Sequence, residues 1–542
     1  MTHHHALTAL LCLGLTGVLC AAPKPKKELY VPMDYSSCGY HASEQELPDV
    51  AVSVYVPWRD GDCSSLIQQA IDQVSRQKAD AQGRRGAVLL GAGRWRLDTP
   101  LRISTSGIVL RGAGCDSTVL VKYGYDRGAL LYLEGTKPPQ PLTQDTLFLT
   151  ADNIPAGSTV LPILRGSRSS SLLLPPSTRV DIVRPCTWEW IDHLGMRDFG
   201  GGLDYTGWKP TDIEIRWDRT VAAACADSIT LDAPITTALS AEYGGAYILV
   251  GSHEGELTEC GVEYLSMEPA VNGWNAKDED HCWDGIYMEK ARDCWVRRVD
   301  FRHFAGSAVT LQLHTSRITV EDCIAREPVS EVGGWRRQVF LTRGQQTLFQ
   351  RCVSRQGIHD FSAGFCAAGP NAFVQCEGEQ SLGFSGSIGS WAAGLLFDIV
   401  NIDGHDLHFG NLEQFQFGTG WNTANSMFWQ CTASTIWCYS PDSDNRCSGH
   451  GCWGTLTGNA EWTSSNDHVQ PRSLFYDQLS KRLGREVDGR ILPRNTNATS
   501  SPTVEQAMEM AQQSLNEPRM TMERWIMSLY PEIGRASCRE RV

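Results

Sequence analysis

The chain has 542 residues, 42% of them hydrophobic, enough to build a core and to exclude a disordered chain. Its 48 basic and 62 acidic residues give a net charge of −14. That balance opposes a general nucleic-acid binder, which needs a basic footprint, and mildly opposes a polyanionic substrate unless basic groups gather in a cleft.

The first 22 residues, MTHHHALTALLCLGLTGVLCAA, read as a secretory signal cleaved after Ala22. Ala6 to Leu19 form an apolar run too short to span a bilayer. Cys20 offers an alternative lipid-attachment point, although Val18 and Leu19 suit that processing poorly. The expected location is therefore secreted or periplasmic, with no membrane contact beyond such an anchor. In residues 23–139, Asp62 or Ser64 should cap a helix whose face is Leu66, Ile67, Ala70, Ile71 and Val74. Strands follow near Ala87–Leu90 and Trp95–Leu97, and then GIVLRGAG at 107–114. This order resembles the opening of the pectate-lyase superfamily, where a helix caps the first coil of a right-handed parallel β-helix. The resemblance covers about residues 50–135 and, more loosely, 250–440. It implies a fold shared with phage tailspikes and epimerases, so it does not fix an activity.

Residues 140–248 break the pattern and read as an inserted β subdomain with proline turns. From 249 to 470 short segments recur: WVRRV, ITVEDC, TLFQRC, AFVQC, LLFDIV and MFWQC. They close on Val299, Cys323, Cys352, Cys376, Val400 and Cys431, at spacings of 24, 29, 24, 24 and 31. Such spacing fits stacked coils carrying loops of different length. Neighbouring coils sit about 4.8 Å apart, farther than the roughly 3.8 Å between disulfide Cβ atoms. Cys323, Cys352 and Cys376 should thus be buried thiols, whereas CSGHGC at 447–452 reads as a metal site or, preferably, a local disulfide. GPNAF and SGSIGSWAAGLLFD resemble a pattern in an uncharacterised bacterial branch of the superfamily and add to the fold reading alone. Residues 471–534 read as a helical tail. The closing GRASCRERV resembles a translated cloning adapter, so 535–542 are left out of the fold reading.

Candidate chemistry lies where a second apolar strand of each coil begins, about 13 to 15 residues before the closing Cys or Val. Ile286, Val309, Val339 and Phe361 are taken as those starts, with Asp284, Ser307, Arg337 and His359 two residues earlier. On this register Arg337 and His359 are neighbours, with Arg336 and Asp360 one step away. A guanidinium beside an imidazole suits β-elimination on a uronic-acid sugar: one neutralises the substrate carboxylate, the other takes the adjacent proton. Tyr287 stands near in sequence as a proton donor or binding group, and Trp283, Trp335 and Trp391 offer platforms for sugar rings. The bland alternatives are hydrogen-bonded corners and loop packing. Asp278 and Asp280, in NAKDEDHCWDG, could hold Ca²⁺. Such a metal commonly bridges the substrate carboxylate in pectate lyases, which this chain resembles, although solvated loop acidity explains both residues as well. WDGI resembles the NTDG of polygalacturonase-like hydrolases, but HFAGSAVT, one coil on, lacks their carboxylate pair. Three readings stay open: a polysaccharide lyase, a glycoside hydrolase, and a carbohydrate-binding or adhesin helix without chemistry. The partner in each is a polysaccharide or oligosaccharide, met by a monomer.

Overall fold

The computed structural model describes residues 29–529, apart from 139, 142–146, 150–151, 165–173, 200–206, 226, 416–418, 488, 493–502 and 517–519. The signal segment, Cys20 and the adapter-like end lie outside the described residues. Most of the chain winds into a right-handed parallel β-helix. Each coil supplies three strands, and each strand pairs in parallel with its counterpart one coil on. Thr347–Gln350, Asn371–Val374 and Leu395–Asp398 belong to the first sheet. Ile324–Arg326, Val353–Arg355 and Glu377–Glu379 belong to the second. Gln338–Thr342, His359–Ala363 and Ser385–Ser387 belong to the third. The helix α1 (Ser64–Ser75) covers the open end with Ile67, Ile71 and Val74 buried. Asp62 holds its start, its Oδ1 accepting from the Ser64 N–H at 3.0 Å.

The repeating Cys or Val marks the corner between the first and second sheets. In every coil the residue before it is left-handed: Arg298, Asp322, Arg351, Gln375, Ile399 and Gln430 have φ between 51° and 58°. That conformation is unfavourable for a residue with a Cβ, by about 1–2 kcal/mol. It turns the chain sharply and aims each corner N–H at the next coil: Arg351 N donates to Val374 O, and Gln375 N to Asp398 O, at 2.9 and 2.8 Å. The side chain that follows then points inward, where only small apolar groups fit. Val299, Cys323, Cys352, Cys376, Val400 and Cys431 are all fully buried. Phenylalanines fill the interior beside them; Phe349 and Phe373 stack at 4.9 Å between centroids.

All sixteen described cysteines are free thiols, including Cys447 and Cys452, so the disulfide expected in CSGHGC is not formed. Both side chains point into the coil interior instead, and burial pushes the Cys452 thiol up to about 12. Cys225 alone among the sixteen is exposed. Protein spanning 23–534 should therefore show one fast thiol toward Ellman's reagent when native and all sixteen when denatured. A deficit of two in denaturant would reveal a disulfide.

Between residues 140 and 252, seven of the described strands form an antiparallel sheet that packs on the β-helix. Trp391, from the β-helix, is buried among Trp190, on helix α2 (Trp188–His193) of this subdomain, and Trp208, at 4.8 and 5.9 Å. The outer face of the first sheet is covered by an N-terminal strap around Tyr35–Ala42 and by α3 (Leu474–Leu483), over Leu348, Ala372, Leu396 and Met427. α4 (Val504–Asn516) and α5 (Met522–Ser528) follow, and α5 rests on Ile324 and Val353 of the second sheet.

Asp398 secures α3. Its Oδ2 accepts from the Ser473 hydroxyl at 2.5 Å and the Phe475 N–H at 2.9 Å, while Oδ1 is buried without a partner. Burial pushes this carboxyl from 3.8 up to about 7, against the pull of those donors. The stability it contributes is full below about pH 4 and is lost as pH rises through 7. Asp398→Asn, whose carbonyl accepts the same bonds, should remove that loss. Relative to wild type it should gain on the order of 2–4 kcal/mol between pH 4 and 8 in guanidinium melts. A difference that stays flat with pH would refute this. His359 titrates in the opposite sense over the same window, so the comparison of variant with wild type, and not the raw profile, carries the result.

Candidate functional site

The loops that enter the third sheet build the site. Residues 270–283 and 327–337 leave the corner before that sheet and pack on each other. Arg336 forks onto Glu279, with Nη2 2.9 Å from Oε2, and holds that carboxyl below the usual range. The Glu331 N–H donates to the same carboxylate at 3.1 Å, and Lys277 pairs with Glu331 at 2.9 Å. The Trp283 ring lies within 5.3 Å of the Arg127 guanidinium and 5.5 Å of that of Arg336, and its Nε1 donates to Glu279 O. Trp283 thus serves to fasten the loops.

Beyond them opens a cavity of 610 Å³ lined by Gly333, Gly334, Trp335, Ile358, His359, Gly383, Phe384, His405 and Phe415. Trp335 stands at its rim, 53% exposed. His359 is buried and meets the edges of Phe384 and Phe415, at 4.7 and 6.1 Å between ring centres. Its Nδ1 lies 2.7 Å from Phe384 O. A carbonyl only accepts, so Nδ1 carries the proton and Nε2 keeps its lone pair. Among the described residues Nε2 has no hydrogen-bond partner. Burial holds the imidazole down at about 4, so it is neutral over the whole neutral range.

The other expected residues are placed differently. Gln338, not Arg337, is the register partner of His359, and Phe340, not Val339, aligns with Phe361. The loop 327–337 takes one residue more than expected because Arg337 is itself a left-handed corner, φ 53°. A slip of one residue sends a side chain to the other face. Arg337 bonds Ser330 Oγ and Ser330 O, both at 2.9 Å, and lines a separate small cleft with Phe301, Pro328 and Arg355. Asp284 accepts from the Ser307 N–H at 2.6 Å, and burial pushes it up to about 6. Asp360 takes the hydroxyls of Ser354 and Ser381 at 2.5 Å and is also pushed up to about 6 by burial. Both carboxyls tie coil to coil.

Trp391 is wholly buried between the β-helix and the subdomain and cannot be a sugar platform. Tyr287 lies on the outer face of the third sheet against Tyr132, 5.6 Å between centroids, its phenol pushed up to about 12 by burial. It stands three coils before His359, about 14 Å at the usual strand spacing, too far to share one reacting bond. Asp278 accepts from the N–H groups of Asn272 and Asp280, at 2.7 and 3.2 Å, and Asp280 meets Arg127 at 3.3 Å. Ca²⁺ takes six to eight oxygens; these carboxylates are engaged by donors and do not fit that shell. Among the described residues, Asp218, His253 and Glu256 do cluster within 4.8 Å. Arg179 already binds both carboxylates and Arg292 binds Asp218, so that group is an ion-pair network.

Sequence reasoning missed Gln338, whose buried Nε2 lacks a partner beside His359. It also missed Phe384, Phe415 and His405. Nothing in a neutral amide or in phenylalanines on neighbouring coils marks them as one wall.

Residues 460–536 match the family model of a domain of unknown function, DUF6298. No curated protein matches the chain. Among solved structures it is similar to the tailspike protein gp49 from Pseudomonas phage LKA1, at 12% identity and a TM-score of 0.35, over 74% of this chain and 70% of that one. A glycoside hydrolase matches at 9% identity and a TM-score of 0.35, over 82% of this chain and 100% of that one. The gp54 tailspike of Acinetobacter baumannii bacteriophage AP22, in complex with a capsular saccharide, matches at 9% identity and a TM-score of 0.27, over 76% and 73%. At such identities no residue role transfers.

Proposed function

We propose that this chain is an exported, carbohydrate-active β-helix, akin to the pectate-lyase superfamily, that binds a saccharide in the His359 cavity and cleaves uronic-acid glycans by β-elimination. One observation carries the reading: His359 presents an uncharged, tautomer-fixed imidazole in the wall of an open aromatic cavity. Aromatic faces suit the C–H faces of sugar rings, and Trp335 at the rim is the platform. In the reaction Nε2 takes the proton from the carbon beside the carboxylate. The C–H electrons become the new C=C bond, the C–O bond on the next carbon breaks, and the imidazolium returns its proton to the leaving oxygen. Arg336, next to Trp335, offers its guanidinium to the substrate carboxylate in exchange for Glu279. Arg337, Asp284 and Asp360 hold the corners around the cavity and do not react.

The described walls of the cavity contain no carboxylate, and Asp284 is committed to Ser307, so carboxylate-pair hydrolysis finds no support here. The test is absorbance at the unsaturated-uronate band while the protein meets a panel of uronic-acid polysaccharides. Reducing ends without that absorbance would overturn elimination. Saccharide binding without either product would leave the chain a binder.

A further inference from the structure

We infer that the outer face of the second sheet is a separate binding site for a carboxylate-bearing polysaccharide, occupied in the resting protein by Glu523 of α5. Arg302 and Arg326 are register partners on consecutive coils, and Arg355 continues the row one coil on, followed by Glu379. Three guanidiniums thus repeat at the coil spacing, about 4.8 Å. Like charges stacked this closely are unfavourable unless anions lie between them. Asp300 serves Arg302 and Arg326, at 2.7 and 2.8 Å, and Glu379 serves Arg355 at 2.8 Å. The third anion is supplied from far along the chain. The Glu523 carboxylate bridges Arg326 Nη1, at 3.1 Å, and Arg355 Nη2.

This bridge shows that the row binds a carboxylate between two coils. A guanidinium fork is the side chain best shaped to do so. A polymer with a carboxylate on successive sugars presents such groups in a row, as the coils present the arginines. Beneath α5 lies an apolar floor, Ile324 and Val353, now covered by Met522 and Ile526. With α5 lifted, that floor would meet the apolar face of a sugar ring. α5 is held lightly: it has seven residues, and Met522 and Ile526 are its only fully buried side chains. Short elements with few buried contacts open at little cost. The site lies across the corner from the His359 cavity and does not depend on the chemistry proposed there.

A tethered carboxylate competes with an external one at an effective concentration on the order of millimolar. Glu523→Gln in the whole protein should therefore tighten binding of polygalacturonate by about tenfold. Arg326→Gln with Arg355→Gln should abolish that gain. In wild type, polygalacturonate should speed hydrogen exchange in residues 521–529. Equal affinity in wild type and Glu523→Gln, with no change in exchange, would overturn the inference. So would tightening that survives loss of both arginines. Equal tightening toward poly-glutamate would overturn the saccharide assignment, and equal tightening toward dextran sulfate would reduce the site to unspecific charge attraction. Thermal melts of each variant show that the fold is intact, and Arg326→Lys with Arg355→Lys, which keeps the charge and loses the fork, should bind weakly.

Discussion

Replacing His359 with alanine should lower uronate elimination by roughly 10²–10⁴-fold, the usual worth of a positioned general base. Alanine also removes the bond to Phe384 O, so a fall in rate alone would not separate chemistry from packing. His359→Asn separates them: its amide can still donate toward Phe384 O but offers no basic nitrogen. Both variants should lose the rate, while Asn keeps the affinity for a substrate analogue. The pH profile gives a further check. Wild-type His359 is held at about 4 by burial. The reactive form is the neutral one, so the rate should be flat through neutrality and fall tenfold per pH unit below about 4. An acid limb near 6.5 instead would place the base in solvent and remove His359 from the role. Trp335→Ala should raise KM with little change in kcat, because the platform holds ground state and transition state alike.

The largest loss of stability is expected at Arg351. Its guanidinium is buried at the corner between the first and second sheets. Nε bonds Asp322 Oδ1 and Nη2 bonds Glu321 Oε2, both at 2.7 Å. Nη1 reaches the Tyr476 hydroxyl at 3.1 Å and Gly489 O at 3.4 Å. One side chain therefore ties two coils to α3 and to the segment beyond it. Arg351→Ala leaves Asp322 and Glu321 with the looser contacts to Arg490, at 3.1 and 3.6 Å, and to Arg298, at 3.7 Å, and losing the central partner of such a network costs about 3 kcal/mol. Arg351→Lys keeps the charge but not the fork and should fall between. Because coils contact mainly their neighbours, the loss should be local. Hydrogen exchange should quicken first in 315–355 and 474–483, while α1 and the first coils keep their protection. Uniform loss of protection along the whole helix would refute that locality.

The β-helix was legible because its constraint is local and repeated. Each coil must return to the same corner, and that corner accepts only a small apolar side chain. Val299, Cys323, Cys352, Cys376, Val400 and Cys431 therefore stand out as a series without any knowledge of the loops. The left-handed residue before each is not legible, since Arg, Asp, Gln and Ile all occupy it. Backbone pairing to the next coil, not residue type, supports that conformation.

The site was legible in part. His359 stood out as a histidine two residues before an expected strand start, and Trp335 as an aromatic in a loop. The partner was misplaced by one residue, because the count through a long loop cannot reveal that Arg337 is spent on the turn. Trp391 looked like a platform for the same reason: its concealment comes from Trp190 and Trp208, about two hundred residues earlier in the chain.

What the sequence alone determined is the coil, its inward column and the thiol state of Cys323, Cys352 and Cys376, because each follows from a spacing that recurs. What only the tertiary structure decided is which side chains meet across coils and segments: His359 with Phe384 and Phe415, Arg351 with Tyr476, and Glu523 with Arg326 and Arg355. Those meetings depend on loop lengths and on where the terminal segments return. Chain separation carries no signal for either, and a single strand's side-chain direction turns over with every residue.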